Sequence, residues 1–228
     1  MLEIKESLNQ TRTYVNNQFE YLKQDPADNH RLIIMCSLID AFAQTSRVTS
    51  GNNQKIFESF LITYSNSFKD VLSNICPVTL YYDVFYNTDI ALNMMKGRIY
   101  SADEASVKKE GERLLSLVSK DNYEKARRRH CFAGLIYALR NKLVHELLPL
   151  NSPVNFYEDS SIQLPHMMCE NIIEGKNSIF NRWVLHIPES FVEAVARETI
   201  ENYLIDCELQ GRTAFQNADR RCLNAWYD

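Results

Sequence analysis

The stretch LIYALRNKLVHELLPL, Leu135–Leu150, decides the fold of this chain. Its apolar residues recur at spacings of three and four, which predicts a helix with one face buried in a core. These residues are Leu135, Ile136, Leu139, Leu143 and Leu147. Because a proline disfavours the helical conformation of the residue before it, Pro149 predicts a helix end near Leu148.

The same helix carries three polar residues near its predicted end. Arg140 is the planar cation best suited to hold a phosphate through two hydrogen bonds, and His145 can gain or lose a proton near neutral pH. Asn141 and His145 lie one turn apart on one face, whereas Arg140 lies about 140° from His145 around the axis. One copy would therefore make a wide site, and we expect two copies at a symmetric interface to make a denser one.

The motif Arg140-Asn141-x-x-x-His145 resembles the HEPN superfamily, whose pattern is arginine, a polar residue and, after a short gap, histidine. The segment SLIDAF, Ser37–Phe42, is similar to a helix of bacterial members. The resemblance implies a helical bundle that forms a homodimer, often a metal-independent ribonuclease with arginine and histidine at the dimer cleft. It also implies a role in stress or defence, and a restraining partner such as an antitoxin or another regulatory protein.

Composition is typical of a globular protein. The 228 residues can form one domain with a sizeable core, and 45% are hydrophobic and 24% charged. Six glycines and six prolines favour long helices over a many-turned β architecture. The net charge of −4 argues against a general attraction for nucleic acid, so an RNA contact needs a local basic patch.

Neither a cofactor nor a metal is expected. The chain has no P-loop, GxGxxG, HExxH or GxSxG motif, and the pair His166 and Cys169 has no second matching pair to complete a metal site. The six cysteines show no CxxC pair, and no signal peptide is evident, so we expect reduced thiols in a cytoplasmic protein. No apolar run approaches the about 18 residues of a membrane-spanning helix.

Hydrophobic periodicity and turn residues predict the other elements. We expect helices over 2–24, 30–44, 56–68, 87–95, 103–119, from Tyr123 through the central stretch, and 189–209. Residues 78–87 suit a strand or a short helix. Short strands are expected over 151–159 and 183–187, with a polar loop holding His166 and Cys169 between them.

These elements predict an all-α fold, a HEPN-like helical bundle with a small β elaboration toward the C-terminus. We expect a single domain over residues 1–228, with a helical core over 1–150. Residues 151–228 would add a β-hairpin-like elaboration and a final helix.

A basic cluster begins the predicted helix that ends in the motif. On one continuous helix Arg129 and Arg140 would share a face about 16 Å apart along the axis, which matches a phosphate track. Cations at a helix start oppose the helix dipole, which favours a binding role, while the alternative is a solvated start paired with Glu104, Glu110 or Glu124. The predicted RNA-binding residues are Lys125, Arg127, Arg128, Arg129 and Lys142.

Asp40 interrupts the apolar run of the second predicted helix. It is either a carboxylate bonded to a neighbouring backbone group or arginine, or a support for Arg140 or His145.

The chemistry that these residues suit is metal-free RNA cleavage. His145 would take a proton from a ribose 2′-OH or give one to the departing 5′-oxygen, and Arg140 would stabilise the charge on the phosphoryl oxygens. Asn141 would orient the histidine or form a hydrogen bond to the phosphate. The alternative is a non-catalytic RNA- or nucleotide-binding or protein-interaction module, in which His145 caps its helix and Arg140 pairs with a carboxylate.

Overall fold

A computed structural model describes residues 2–24, 28–46, 48–146, 154–157, 164–174 and 178–216. Within these ranges, the side chains of residues 28–29, 144–146, 156–157, 172–174 and 178–180 lie outside the description. Helices dominate, and a small four-stranded sheet lies largely in the C-terminal half, which confirms the mostly helical fold with a small β part. The HEPN-like bundle stays a prediction. Among the described helices, none has the length and apolar character needed to cross a membrane.

The described residues fall into two compact units. One unit holds residues from Met1–Lys69 and Glu193–Asp228, and the other holds residues from Asp70–Val192. The boundary expected at residue 150 lies inside the second unit, and the single domain stays a prediction.

The first unit is built from α1 (Leu2–Leu22), α2 (Asp28–Ser46), α3 (Asn53–Tyr64) and most of α9 (Glu189–Leu209). Its core surrounds the fully buried Tyr203, whose ring centroid lies 6.0 Å from that of Phe42 and 5.7 Å from that of Phe60. The Tyr203 hydroxyl donates a hydrogen bond of 2.7 Å to the carbonyl oxygen of Ala214, so the buried ring leaves no polar atom unsatisfied. The four predicted helices of this unit are confirmed, and the aromatic face of α3 is core.

The start of α3 gives a stability prediction. Asn52 precedes the helix in an extended conformation, and its Oδ1 accepts a 2.9 Å hydrogen bond from the backbone N–H of Lys55. Asn52→Ala should lower the free energy of unfolding by about 1 kcal/mol, measured by chemical denaturation. Asn16→Ala, in the exposed middle of α1, serves as the control and should cause no loss, because alanine is the better helix former. Equal stability of both variants would contradict the capping role.

The second unit opens with most of α4 (Lys69–Ser73), followed by α5 (Pro77–Leu80) and a π-helix (Tyr81–Phe85). Residues 78–85, which suited either a strand or a helix, are therefore helical. The expected helix over 87–95 is wrong, since these residues are irregular. Their backbone groups bind an ion pair on α6 (Ala105–Ser116): the N–H of Asn93 donates to Glu110 Oε1 at 2.7 Å, and Arg113 Nη2 donates to the oxygen of Ala91 at 2.8 Å.

The helix expected from Tyr123 through the motif is broken. It forms α7 (Lys120–His130) and α8 (Phe132–Glu146), separated by Cys131 in an extended conformation with φ −69° and ψ 153°. The N–H of Cys76 donates to the oxygen of His130 at 2.8 Å, and the N–H of Phe132 donates to the oxygen of Asn74 at 3.1 Å. Because these bonds from another segment replace helical ones, Arg129 and Arg140 do not share a helix face. Residues 147–150 lie outside the described residues.

Close packing occurs where α6 passes the same segment. A Cβ added to Gly111 would overlap the carbonyl oxygen of Ile75 and lie 3.1 Å from the Ile75 Cβ. Ile75 in turn forms an isolated antiparallel bridge with Cys131. Gly111 therefore allows α6 to reach the backbone that interrupts the helix.

The sheet of the second unit contains β1 (Tyr100–Ser101), β2 (Val154–Tyr157), β3 (His166–Glu174) and β4 (Ser178–Pro188), in the order β1-β3-β4-β2. Only β2 and β4 are parallel neighbours within it. The two predicted strands are confirmed in type, although β4 is longer than expected. The polar loop expected around His166 and Cys169 is wrong, because these residues lie in β3 and pair with β4.

Candidate functional site

The predicted catalytic residues lie on α8, whose buried face is formed by Ile136, Leu139 and Leu143. From helical spacing, Arg140 flanks this face and Asn141 lies opposite it. Both are partly exposed. Burial of the apolar face thus fixes which side of α8 carries the polar residues.

One hydrogen bond joins two of these residues. Arg140 Nη1 donates to Asn141 Oδ1 at 3.0 Å. Successive positions on a helix diverge by about 100°, so the guanidinium must reach around the axis toward Asn141. His145 follows Asn141 one turn later in the last turn of α8, and its side chain lies outside the description. The bond therefore draws the Arg140 guanidinium toward the side of α8 on which Asn141 and position 145 lie.

The HEPN resemblance rests on sequence motifs. No family model, curated protein or solved structure matches the chain. The site must be judged on the chemistry of its own residues, and the family stays a prediction.

The basic cluster lies at the end of a helix, not at its start. Arg127, Arg128 and Arg129 occupy the last turn of α7, because Cys131 interrupts the helix. Cations at that end complement the helix dipole, so the inference drawn from an opposed dipole is wrong. Lys125 and Lys142 lie on α7 and α8, and the RNA-binding role of all five residues stays a prediction.

Of the three glutamates expected as alternative partners of this cluster, the structure pairs one with it. Arg127 Nη1 lies 3.7 Å from Glu124 Oε2, as the alternative interpretation expected, whereas Glu104 and Glu110 pair with Arg98 and Arg113. Exposed pairs of the Arg127 type contribute little to stability. The pair with Glu124 therefore leaves Arg127 able to bind another anion.

Asp40 belongs to α2 in the first unit, whereas Arg140 and His145 belong to the second. The Asp40 Oδ1 accepts a hydrogen bond of 3.4 Å from Gln44 Nε2. Both interpretations of this carboxylate stay predictions.

A buried histidine that sequence reasoning did not single out lies at the end of α7. His130 is 4% exposed, with Nδ1 3.3 Å from Thr79 Oγ1 and Nε2 3.1 Å from Asp83 Oδ2. An ionised carboxylate only accepts hydrogen bonds, so Nε2 carries the proton of that bond. The partners precede His130 by 51 and 47 residues, and no local pattern could have found them.

Asp83 is held in its charged form. The hydrogen bond from His130 lowers the pKa of Asp83 below its ordinary value, and the charges of His130, Arg129 and Lys125 act in the same direction, while partial burial opposes them. Arg129 Nη1 lies 3.3 Å from Asp83 Oδ2. Asp83 therefore ties the end of α7 to the π-helix most strongly when it is ionised.

This geometry predicts a pH-dependent contribution to stability. Because the pKa of Asp83 is lower in the folded than in the unfolded chain, its contribution is present above the unfolded value of about 3.9 and is lost as the pH falls through the folded value. Asp83→Asn should lower the free energy of unfolding by less than about 1 kcal/mol at pH near 7, since the carboxylate is partly exposed.

The measurement is denaturant unfolding of wild type and Asp83→Asn across this pH range. The difference between them should shrink as the pH falls below about 3.9, because the carboxylate is then lost first in the unfolded chain and next in the folded one. Asp89→Asn, at an exposed position, is the control and should differ little from wild type at any pH. A difference for Asp83→Asn that grows on acidification would contradict the assignment.

The sheet holds a pair of stacked histidines. The rings of His166 and His186 stack with centroids 5.0 Å apart and planes 11° apart, and His186 Nε2 lies 2.7 Å from Glu170 Oε1. His166 and Cys169 are three positions apart in a strand, so their side chains point to opposite faces of the sheet. Their spacing in sequence therefore does not bring them together as metal ligands. Within the described ranges, no group of three or more histidine, cysteine, aspartate or glutamate residues could hold a metal.

Proposed function

We propose that the chain is a metal-independent endoribonuclease that acts through a homodimer, with Arg140 and His145 as its catalytic residues. The observation that supports the proposal is the 3.0 Å hydrogen bond from Arg140 to Asn141, opposite the buried face of α8. A guanidinium that a hydrogen bond already orients loses less freedom on binding a phosphate.

The proposed reaction is an internal transfer. The ribose 2′-oxygen attacks the phosphorus and the bond from phosphorus to the 5′-oxygen breaks, which leaves a 2′,3′-cyclic phosphate and a 5′-OH. One histidine accepts the 2′-OH proton and a second, from the partner copy, donates a proton to the 5′-oxygen. Arg140 stabilises the charge that builds on the phosphoryl oxygens.

The resemblance to HEPN proteins supports the biological side of this proposal. It implies a role in stress or defence, with an antitoxin or regulatory protein as the restraining partner, and the cytoplasm is the proposed location. RNA is the substrate, and the basic residues of α7 together with Lys142 are its proposed contacts.

A second candidate is a non-catalytic binding or interaction module. The observation that favours it is the end of α7, where the cations complement the helix dipole and Arg129 pairs with Asp83. In that case the position of the basic residues at the end of α7 is explained without RNA binding.

Two substrates distinguish the candidates. End-labelled RNA is incubated with the protein in EDTA, beside the same sequence with 2′-O-methyl groups throughout. The nuclease should cut only the RNA, because the methylated strand lacks the nucleophile, and should leave cyclic phosphate ends. No cutting of several RNAs by a folded dimer would favour the binding module, and cutting of both strands would exclude the proposed mechanism.

A further inference from the structure

Three tyrosine rings contact one another on and beside the π-helix. The ring centroid of Tyr82 lies 5.3 Å from that of Tyr81 and 5.2 Å from that of Tyr86. The centroids of Tyr81 and Tyr86 are 6.3 Å apart. We call these residues the tyrosine cluster. Two of the three pairs are edge-to-face, the favourable arrangement for aromatic rings.

The π-helix explains why the rings meet. Tyr81 and Tyr86 are five residues apart, which on an α-helix would separate them by about 140° around the axis. In a π-helix the hydrogen bonds run between residues five apart, so such residues lie one turn from each other. The π-helix spans Tyr81–Phe85, and Tyr86 follows with helical dihedral angles. π-Helical turns occur frequently at functional sites.

One ring of the cluster is anchored to the sheet and another is exposed to solvent. The Tyr82 hydroxyl accepts a 3.0 Å hydrogen bond from the backbone N–H of Trp183 on β4, which anchors this ring to the sheet. Tyr86 is 59% exposed, so its ring is available to a ligand, and it contacts the anchored ring of Tyr82. A rigid, exposed aromatic ring loses little conformational entropy when a flat ligand stacks on it.

Cations border the cluster. The guanidinium of Arg182 lies 5.3 Å from the centre of the Tyr82 ring, and its buried Nε has no hydrogen-bond partner among the described residues. Arg129 contacts Asp83, the neighbour of Tyr82 in sequence, and the charge of Lys125 also acts on this carboxylate.

Two carboxylates lie near these cations, and both are already bound. Asp83 accepts from His130, and Glu170, opposite Arg182 in the sheet register, contacts His186 at 2.7 Å. Arg182 therefore contacts the cluster directly, while Arg129 and the charge of Lys125 act on Asp83, the residue after Tyr82. This combination of aromatic rings and positive charge suits a ligand with flat bases and phosphates.

We propose that the tyrosine cluster binds single-stranded RNA, with a base stacked on Tyr86 and the adjoining phosphates near Arg182 and Arg129. Bases are free to stack on a protein ring only where they are not paired in a helix, which favours a single strand over a duplex. The proposal deepens the proposed function, and rests on it, by naming where the substrate RNA is held.

The test uses the full chain and a fluorescent 2′-O-methyl oligonucleotide of about 12 nucleotides, a length within the site sizes of single-strand binders. Anisotropy gives the dissociation constant without cleavage. Tyr86→Ala should weaken binding about tenfold, whereas Tyr86→Phe should bind like wild type, because stacking needs the ring and not the hydroxyl. Tyr21→Ala, at a 62% exposed position in the first unit, is the matched control and should bind like wild type.

Arg182→Gln gives an independent readout. Binding should weaken, and the slope of log affinity against log salt should fall by about 1, because one phosphate contact is lost. Thermal unfolding of each variant, compared with wild type, verifies that the fold is retained.

The two proposals fail separately in these experiments. The docking site is overturned if the oligonucleotide does not bind, if Tyr86→Ala binds like wild type, or if Tyr86→Phe binds as poorly as Tyr86→Ala. RNA cleavage with Tyr86-independent binding would remove the docking site and retain the nuclease. Tyr86-dependent binding without any cleavage of RNA would support the docking site and remove the nuclease.

Discussion

Replacing His145 by alanine should lower the rate of RNA cleavage in EDTA by about 10²–10⁴-fold, the usual contribution of general acid–base catalysis. Arg140→Ala should cost about 10²–10³-fold, because in the proposed mechanism it removes donors aimed at the developing phosphoryl charge. The double variant should lose less than the product of the two effects, since the proposed mechanism uses both residues in one step. Single-turnover rates on end-labelled RNA measure these losses directly.

Two further variants test the arginine and the protein preparation. Arg140→Lys retains the charge but loses the planar fork and the geometry of the bond to Asn141, so most of the activity should still be lost. Lys109→Ala, at an exposed position of α6, should cleave like wild type. Full activity in folded Arg140→Ala or His145→Ala protein would show that the cleavage comes from elsewhere.

Replacing Gly111 by alanine should lower the free energy of unfolding by about 1–3 kcal/mol. A glycine-to-alanine change inside a helix normally stabilises it by about 1 kcal/mol, so the expected sign is reversed. The reason is the neighbour: the added Cβ would overlap the carbonyl oxygen of Ile75, and a backbone atom cannot move aside as the end of a side chain can.

Chemical denaturation of Gly111→Ala measures this effect. Glu112→Ala changes the next position of α6, where the side chain is exposed, and should alter stability by less than about 0.5 kcal/mol. A stabilised Gly111→Ala protein would mean that α6 can move away from Ile75 at little cost.

Local pattern was sufficient where an element depends on its own residues. The periodicity of α1 and α9 lies within each helix, so the sequence predicted their type and much of their extent. The division between α7 and α8 depends instead on backbone hydrogen bonds with Asn74 and Cys76. No proline lies near Cys131 that would predict it. The irregular stretch after the π-helix is likewise held by Glu110 and Arg113.

The same distinction applies to the candidate site. Arg140 and Asn141 could be placed on one helix from their spacing, and the structure adds the hydrogen bond between them. Sequence could not pair His130 with Asp83, because the two are 47 residues apart. It also put the arginines at the wrong end of a helix, since the dipole argument depended on an uninterrupted α7–α8.

The interruption at Cys131 also has a consequence for how the molecule folds. The bridge from Ile75 to Cys131 closes a loop over residues 76–130, and closing a loop of that length costs conformational entropy. A peptide over residues 120–146 lacks the partners at 74–76, so helix can propagate through Cys131. Helicity in such a fragment would therefore place Arg129 and Arg140 along one rod, an arrangement that the contacts of the full chain prevent.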